Sequence, residues 1–228
     1  MKIWRYLTID KFKRMLRDEA IFIARSDQFS DRFEGSYPTR DVKKIDRIYD
    51  DPAMFRAWRK FVAASCWHKN EYESDGMWQL YSDRKKGVAI QSTIESLEKL
   101  CSDHAYVTEV KYIDYENDEF PDQLIIRPFK YKRIFYKHEQ EVRAIIWSLP
   151  PAKEIKNGFP EVGTPNAKSD IPIPGLNIEV DLKLLIKAIV VSPESNEDQY
   201  QQVEALLKEY NFDDIVLKKS DLSGDPVW

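Results

Sequence analysis

Short stretches that alternate apolar and polar residues are interleaved with helical stretches along this chain, and that order limits the folds open to it. Ile3 to Leu7 alternates with period two, placing Ile3, Arg5 and Leu7 on one face and Trp4 and Tyr6 on the other. Ile9 to Glu19 then has Phe12, Met15 and Leu16 at helical spacing. Ile21 to Ala24, Val62 to Trp67, Val88 to Gln91, Tyr106 to Tyr115, Glu141 to Trp147, Ala188 to Val191 and Ile215 to Leu217 read as further strands. Helices are expected from Asp51-Pro52, over Asp75 to Tyr81, after a capping box at Ser92 to Glu95, and over Ser195 to Tyr210. Strands that alternate have one face packed and one face polar. That favours a mixed or antiparallel α+β core over a doubly wound parallel one.

The 228 residues are expected to form one domain spanning 1–228, with the Pro- and Lys-rich stretch 150–174 as an excursion from it. Apolar residues make up 43% and aromatic residues 13%, enough for a core without disulfides. This excludes a wholly disordered chain and the low-complexity classes. Lys and Arg number 35 against 39 Asp and Glu, so the basic bias of a dedicated duplex-DNA binder is missing. MKIWRYLTID contains no apolar signal core, and no apolar run approaches the roughly 20 residues that cross a bilayer. The two cysteines, Cys66 and Cys101, are too few for a disulfide framework. The expectation is a reduced, cytoplasmic protein away from the membrane.

With only 7 glycines the chain has no phosphate-cradling GxGxxG or GxxxxGK[ST], and GxSxG and HExxH are missing too. Three weaker constellations remain. Cys66, His68, Cys101 and His104 could supply four zinc ligands, although this spacing more often belongs to buried thiols and unrelated histidines, and no bound metal is expected. Glu109 and Lys111 share a strand face with Asp103 upstream, as in metal-dependent nucleases, or they form an ion pair on an exposed strand. The densest cluster is His138 to Arg143 (HEQEVR). On a strand, Glu139, Glu141 and Arg143 point to one side, and Ile145 and Trp147 continue that face. Two carboxylates there are costly to bury unless something cationic joins them; otherwise they form a solvated ladder.

Trp4-Arg5-Tyr6, Phe29 to Gly35 (FSDRFEG), Ser65-Cys66-Trp67, Met77-Trp78 with Tyr81, Gly87 to Ile90 (GVAI) and Lys132 to Arg143 (KRIFYKHEQEVR) together resemble the bacterial family domain of unknown function 2971. The resemblance runs from Trp4 to about Ser220. The asparagine and proline of the family's first-loop N-D-P are replaced, leaving Asp31 between Ser30 and Arg32. A more distant similarity joins the order of elements to ADP-ribosyltransferases of the Arg-Ser-Glu type, DarT-like enzymes among them. It implies a split sheet of that fold and NAD as substrate. It also implies transfer of ADP-ribose to a protein or nucleic-acid acceptor, or hydrolysis of the dinucleotide, in a toxin or phage-defence role. Carried over residue by residue, it implies Arg5 as the dinucleotide-binding group, Ser65 as the brace, Glu141 as the catalytic carboxylate and Glu139 as its accessory. Tyr6 would join Arg5 in binding, while Trp78 and Tyr81, one helical turn apart, could stack on a ring or simply pack the core. Arg5, Ser65 and Glu141 are expected to line one cleft near the sheet centre. The alternatives are the nuclease built on Asp103, Glu109 and Lys111, and a non-catalytic binding module.

Overall fold

The structure, a computed structural model, describes residues 1–44, 57–101, 105–122, 124, 126–147, 152–156, 159–162, 171 and 174–227. Asp51-Pro52, Asp103 and His104 lie outside the described residues. The strands are β1 (Lys2–Thr8), β2 (Ala20–Arg25), β3 (Val62–Lys69), β4 (Gly87–Thr93), β5 (Tyr106–Glu109), β6 (Lys111–Ile113), β7 (Tyr131–Arg133), β8 (Glu141–Trp147), β9 (Ala152–Lys156), β10 (Phe159–Val162), β11 (Gly175–Glu179), β12 (Ala188–Val191) and β13 (Leu217–Lys219). Nine of them form one mixed, largely antiparallel sheet in the order β11-β2-β3-β1-β4-β12-β13, with β8 on β3 and β5 on β8. Only β12 and β13 pair in parallel there. The fold is thus α+β, as the alternating strands predict.

The position of β3 decides where the site lies. Its first half pairs with β2 (Ala63↔Arg25, Ala64↔Ala24), and its last residues pair with β1 (His68↔Trp4, Lys69↔Ile3). Its other edge pairs with β8 from Val62↔Trp147 to His68↔Glu141. The strands β1 and β2 therefore meet β3 one after the other along a single edge, and the sheet splits between them.

One face of the sheet carries the main core. The helix Ile9–Asp18 buries Phe12, Met15 and Leu16 against it, and the helices Ile94–Cys101 and Glu197–Glu209 add Leu97, Cys101, Val203, Leu206 and Leu207. Local signals set the ends of these helices. Thr8 accepts a hydrogen bond from the Lys11 amide, and Asn196 and Gln199 form a reciprocal cap. On the opposite face two small cores stand apart. Trp4, Tyr6, Met77, Trp78, Ala89 and Val190 form one; Val62, Ala64, Phe129 and Ile145 form the other. The ground between them is charged.

Several elements differ from the sequence reading, among them β7, β11 and the helix Leu182–Leu185, which it does not expect, and the last strand, which runs over Leu217–Lys219. The helix after β4 is capped by Thr93, whose Oγ1 accepts from the Ser96 amide at 3.1 Å; Ser92 stays in the strand opposite Ile3 and donates to the Leu185 carbonyl. Glu95 is left free to meet the terminal amine of Met1. The stretch 106–115 is two strands in two sheets. It follows β8 only from Tyr106↔Ile145 to Glu109↔Val142, because β8 begins at Glu141 and offers no further partner. Residues 111–113 then pair with β7. Within the excursion, β9 and β10 pair antiparallel.

Candidate active site

A cleft of about 840 Å³ opens at the split. Arg5 and Tyr6 of β1, Phe22 and Ala24 of β2, and Cys66 and His68 of β3 line it, together with Tyr81, Lys132 and Glu141. That volume suits a small-molecule ligand.

Glu141 opens β8, directly after Gln140 turns the chain at φ 39°. Glu139 is not on the strand. It ends the 3-10 turn Ile134–Glu139, so the two carboxylates converge from a turn and a strand rather than along one strand face. Lys132 of β7 joins them, donating to Glu139 and, at 2.6 Å, to Glu141. This is the cation that two carboxylates on one buried face require. Arg143 donates to the second oxygen of Glu141, grips Glu34 with two donors at 2.5 and 3.0 Å, and reaches the Phe129 carbonyl at 2.9 Å. All five groups are buried, Arg143 completely. The paired, hydrogen-bonded geometry is what makes such burial tolerable.

The network holds three carboxyls against two cations, so one proton would balance it. Glu139 and Glu34 are the two carboxyls of the network that are raised. Burial and the adjacent Glu141 carboxylate raise Glu139 from its ordinary 4.5 to about 7, against the pull of Lys132. Burial also acts on Glu141, but Arg143, the hydrogen bond with Glu139 and Lys132 outweigh it and hold Glu141 ionised far below the usual range. Glu34 is raised by burial, which Arg143 only partly offsets. Tyr81 donates to Glu139 at 2.6 Å, and the Tyr112 hydroxyl accepts from the Glu141 amide at 2.8 Å. Two neighbouring carboxyls pushed apart in this way, one up and one down, are the arrangement that acid–base and charge-stabilising roles require.

The shift has a sign. A carboxyl whose folded pKa lies above its unfolded value adds stability that is complete below about 4.5 and is lost as pH rises through about 7. Glu139→Gln keeps a neutral side chain at every pH. Urea unfolding from pH 5 to 8 should therefore show a flatter decline in Glu139→Gln than in the wild type. Parallel curves would place the proton elsewhere.

Arg5 is half-buried on β1 and spans the split. Its Nη2 donates to the Phe22 carbonyl of β2 at 2.6 Å, and its guanidinium lies 5.6 Å from the centre of the Trp67 ring. Burial lowers it to about 10, so it remains a cation at neutral pH. Its Nη1 is buried with no partner among the described residues. Ser65 does not line the cleft. It faces the main core, and its Oγ accepts from the Trp67 indole at 3.1 Å. It thus touches the site only through the ring on which Arg5 rests. Tyr6 and Tyr81 line the cleft. Trp78 is fully buried behind Tyr6, edge-on at 5.0 Å, with its indole donated to Glu73. Of the seven residues singled out for the site, Arg5, Tyr6, Tyr81 and Glu141 line the cleft, Glu139 joins it through Tyr81 and Lys132, and Ser65 and Trp78 do not line it.

Lys132, Glu34 and His68 belong to the same site without having been assigned to it. Glu34 lies in FSDRFEG and Lys132 in KRIFYKHEQEVR, so their runs were legible and their roles were not. Asp31 of the first run pairs with Arg133 at 2.7 Å beside them. The nuclease arrangement is not assembled among the described residues: Glu109 is bound by Lys69, and Lys111 opens a strand of another sheet. No three metal-ligating side chains gather among the described residues. Cys66 lies on the cleft face, whereas Cys101 is in the main core. No described helix is long and apolar enough to cross a membrane.

No family model and no curated protein matches the chain, so the likeness to domain of unknown function 2971 stands on the residues quoted for it. Among solved structures it is similar to Thermus sp. 2.9 DarT in complex with NAD+, at a TM-score of 0.44 and 10% identity, over 97% of this chain and 95% of that one. The same protein in complex with carba-NAD+ gives 0.43 and 11%, over 97% and 95%. In complex with ADP-ribosylated ssDNA it gives 0.42 and 11%, over 97% and 94%.

Proposed function

We propose that this protein binds NAD in the cleft between β1 and β2 and breaks the nicotinamide–ribose bond beside Glu141, passing ADP-ribose to an acceptor or to water. One observation carries the reading. Glu141, held by Lys132 and Arg143 and backed by Glu139, lines a cleft that also carries Arg5, whose Nη1 has no partner among the described residues. When the glycosidic bond breaks, its electron pair leaves with the nicotinamide nitrogen and positive charge grows on the ribose. A fixed carboxylate stabilises that charge as it forms. Arg5 supplies the opposite requirement, since a guanidinium with an unpaired donor suits a pyrophosphate oxygen. Tyr81, 44% exposed at the cleft, offers a ring face to the nicotinamide or the adenine. The acceptor is a protein, a nucleic acid or water, and the chemistry suits a toxin or phage-defence effector, because it consumes NAD or marks a macromolecule.

The test is nicotinamide release from NAD by the wild type, with NAD binding measured in parallel by calorimetry. Arg5→Ala removes the phosphate donor and should weaken NAD binding at least about tenfold, the worth of a charge-assisted hydrogen bond. A wild type that neither binds NAD nor releases nicotinamide would overturn the reading.

A further inference from the structure

His68 stands at the junction of the three strands that make the site. It is paired with Trp4 of β1 on one side and Glu141 of β8 on the other. Directly opposed residues have neighbouring side chains, with Cβ atoms about 5 Å apart. The ring is 2% exposed and lines the cleft, 6.4 Å from the Tyr6 ring. Its Nδ1 meets the Glu139 carbonyl at 2.6 Å. A carbonyl only accepts, so Nδ1 carries a proton. The neutral imidazole then has its lone pair on Nε2. Nε2 is buried and has no partner among the described residues.

A buried acceptor without a donor is costly, and here the cleft is where a donor can come from. Glu141 of β8 is the cross-strand neighbour of His68, the Tyr6 ring of β1 lies near it, and His138 of the 3-10 turn is close enough to act on its charge. Burial and the nearby His138 hold His68 below its ordinary range, against the hydrogen bond to Glu139, so the lone pair is available at neutral pH.

We propose that His68 is a further catalytic residue, the base that takes the proton of the attacking hydroxyl. The inference rests on the NAD reading above. The hydroxyl oxygen of water or of the acceptor forms the new bond to the ribose carbon. The nicotinamide nitrogen leaves with the electrons of the old bond, neutral. The hydroxyl proton passes to His68 Nε2 and then to solvent. The hydrogen bond from Nδ1–H to Glu139 fixes the tautomer and aims the lone pair. It also ties the base to the turn that carries the accessory carboxyl.

The experiment compares wild type, His68→Gln and His68→Ala in NAD hydrolysis, with water as the acceptor. Gln can keep the donor to Glu139 and present an oxygen, but it cannot carry a proton. His68→Gln should bind NAD within about twofold of wild type and release nicotinamide about a hundredfold more slowly. His68→Ala should be slow too, and imidazole added to the buffer should restore at least about tenfold, an effect that a purely structural role would not produce. Circular dichroism and the melting temperature show that both variants are folded. His68→Gln turning over at the wild-type rate would overturn the proposal and leave the NAD reading intact. So would a folded His68→Ala whose loss imidazole does not repair. A wild type that releases no nicotinamide would sink both.

Discussion

Glu141→Gln is expected to keep its fold and to release nicotinamide at least about a hundredfold more slowly than the wild type. The reason lies in when the charge is needed. Positive charge exists on the ribose only as the bond breaks, so a carboxylate fixed beside it acts on the transition state and hardly on bound NAD. A preorganised charged group of this kind is worth about 3 kcal/mol or more, and each 1.4 kcal/mol is about tenfold in rate. NAD binding should change much less than turnover. The fold should survive because the site can rebalance itself. With Glu141 neutral, the neighbour that raises Glu139 is gone, and Glu139 can ionise against Lys132 and Arg143. The same rebalancing makes Glu139 a decoy. It restores the charge but from the turn, displaced from the position that Glu141 holds on β8, so turnover should not return. Equal release from wild type and Glu141→Gln would remove Glu141 from the chemistry.

The parts of this protein that a sequence reveals are those governed by neighbours in the chain. Ile3, Arg5 and Leu7 alternate with Trp4 and Tyr6, and their two faces do pack against different cores. Glu139 and Glu141 stood out because charge so close to an apolar strand demands an explanation. What joins them was not legible. Arg143 meets Glu34 across 109 positions of chain, and Lys132 reaches both carboxylates from a three-residue strand with too few residues to show a period. The misplaced cap at Ser92 has a similar cause. Ser92 and Thr93 can both cap and both pair with β1; what separates them is the Ser92 hydroxyl, which is buried and donates to the Leu185 carbonyl 93 positions away. Ser65 was placed on the right strand, but a period of two assigns it to a face without saying which face holds the cleft. His68 was noticed as one of four candidate zinc ligands. Its unpaired nitrogen is a tertiary fact, set by a carbonyl 71 positions away.

Arg143→Met is expected to destabilise the protein by about 3–5 kcal/mol, the cost of leaving buried charge without its partner. The side chain is fully buried, and burial alone would lower it, yet Glu141 and Glu34 hold it well above its ordinary range. It is therefore a cation under all ordinary conditions. Removing it leaves three carboxyls facing Lys132 alone, and the Phe129 carbonyl loses its donor at 2.9 Å. Some of the cost is relieved when Glu34, already raised by burial, takes up a proton. The loss should therefore be smaller at pH 5 than at pH 8. At about 2–4 °C per kcal/mol for a chain of this size, the melting temperature should fall by roughly 6–20 °C. The double variant Glu34→Gln with Arg143→Met gives the sharper result. Each single change strands a charge that the other would neutralise, so the double should cost clearly less than the two singles together. Additive losses would mean that Glu34 and Arg143 do not act as a pair, and the balance of charge that sets Glu139 near neutrality would have to come from elsewhere.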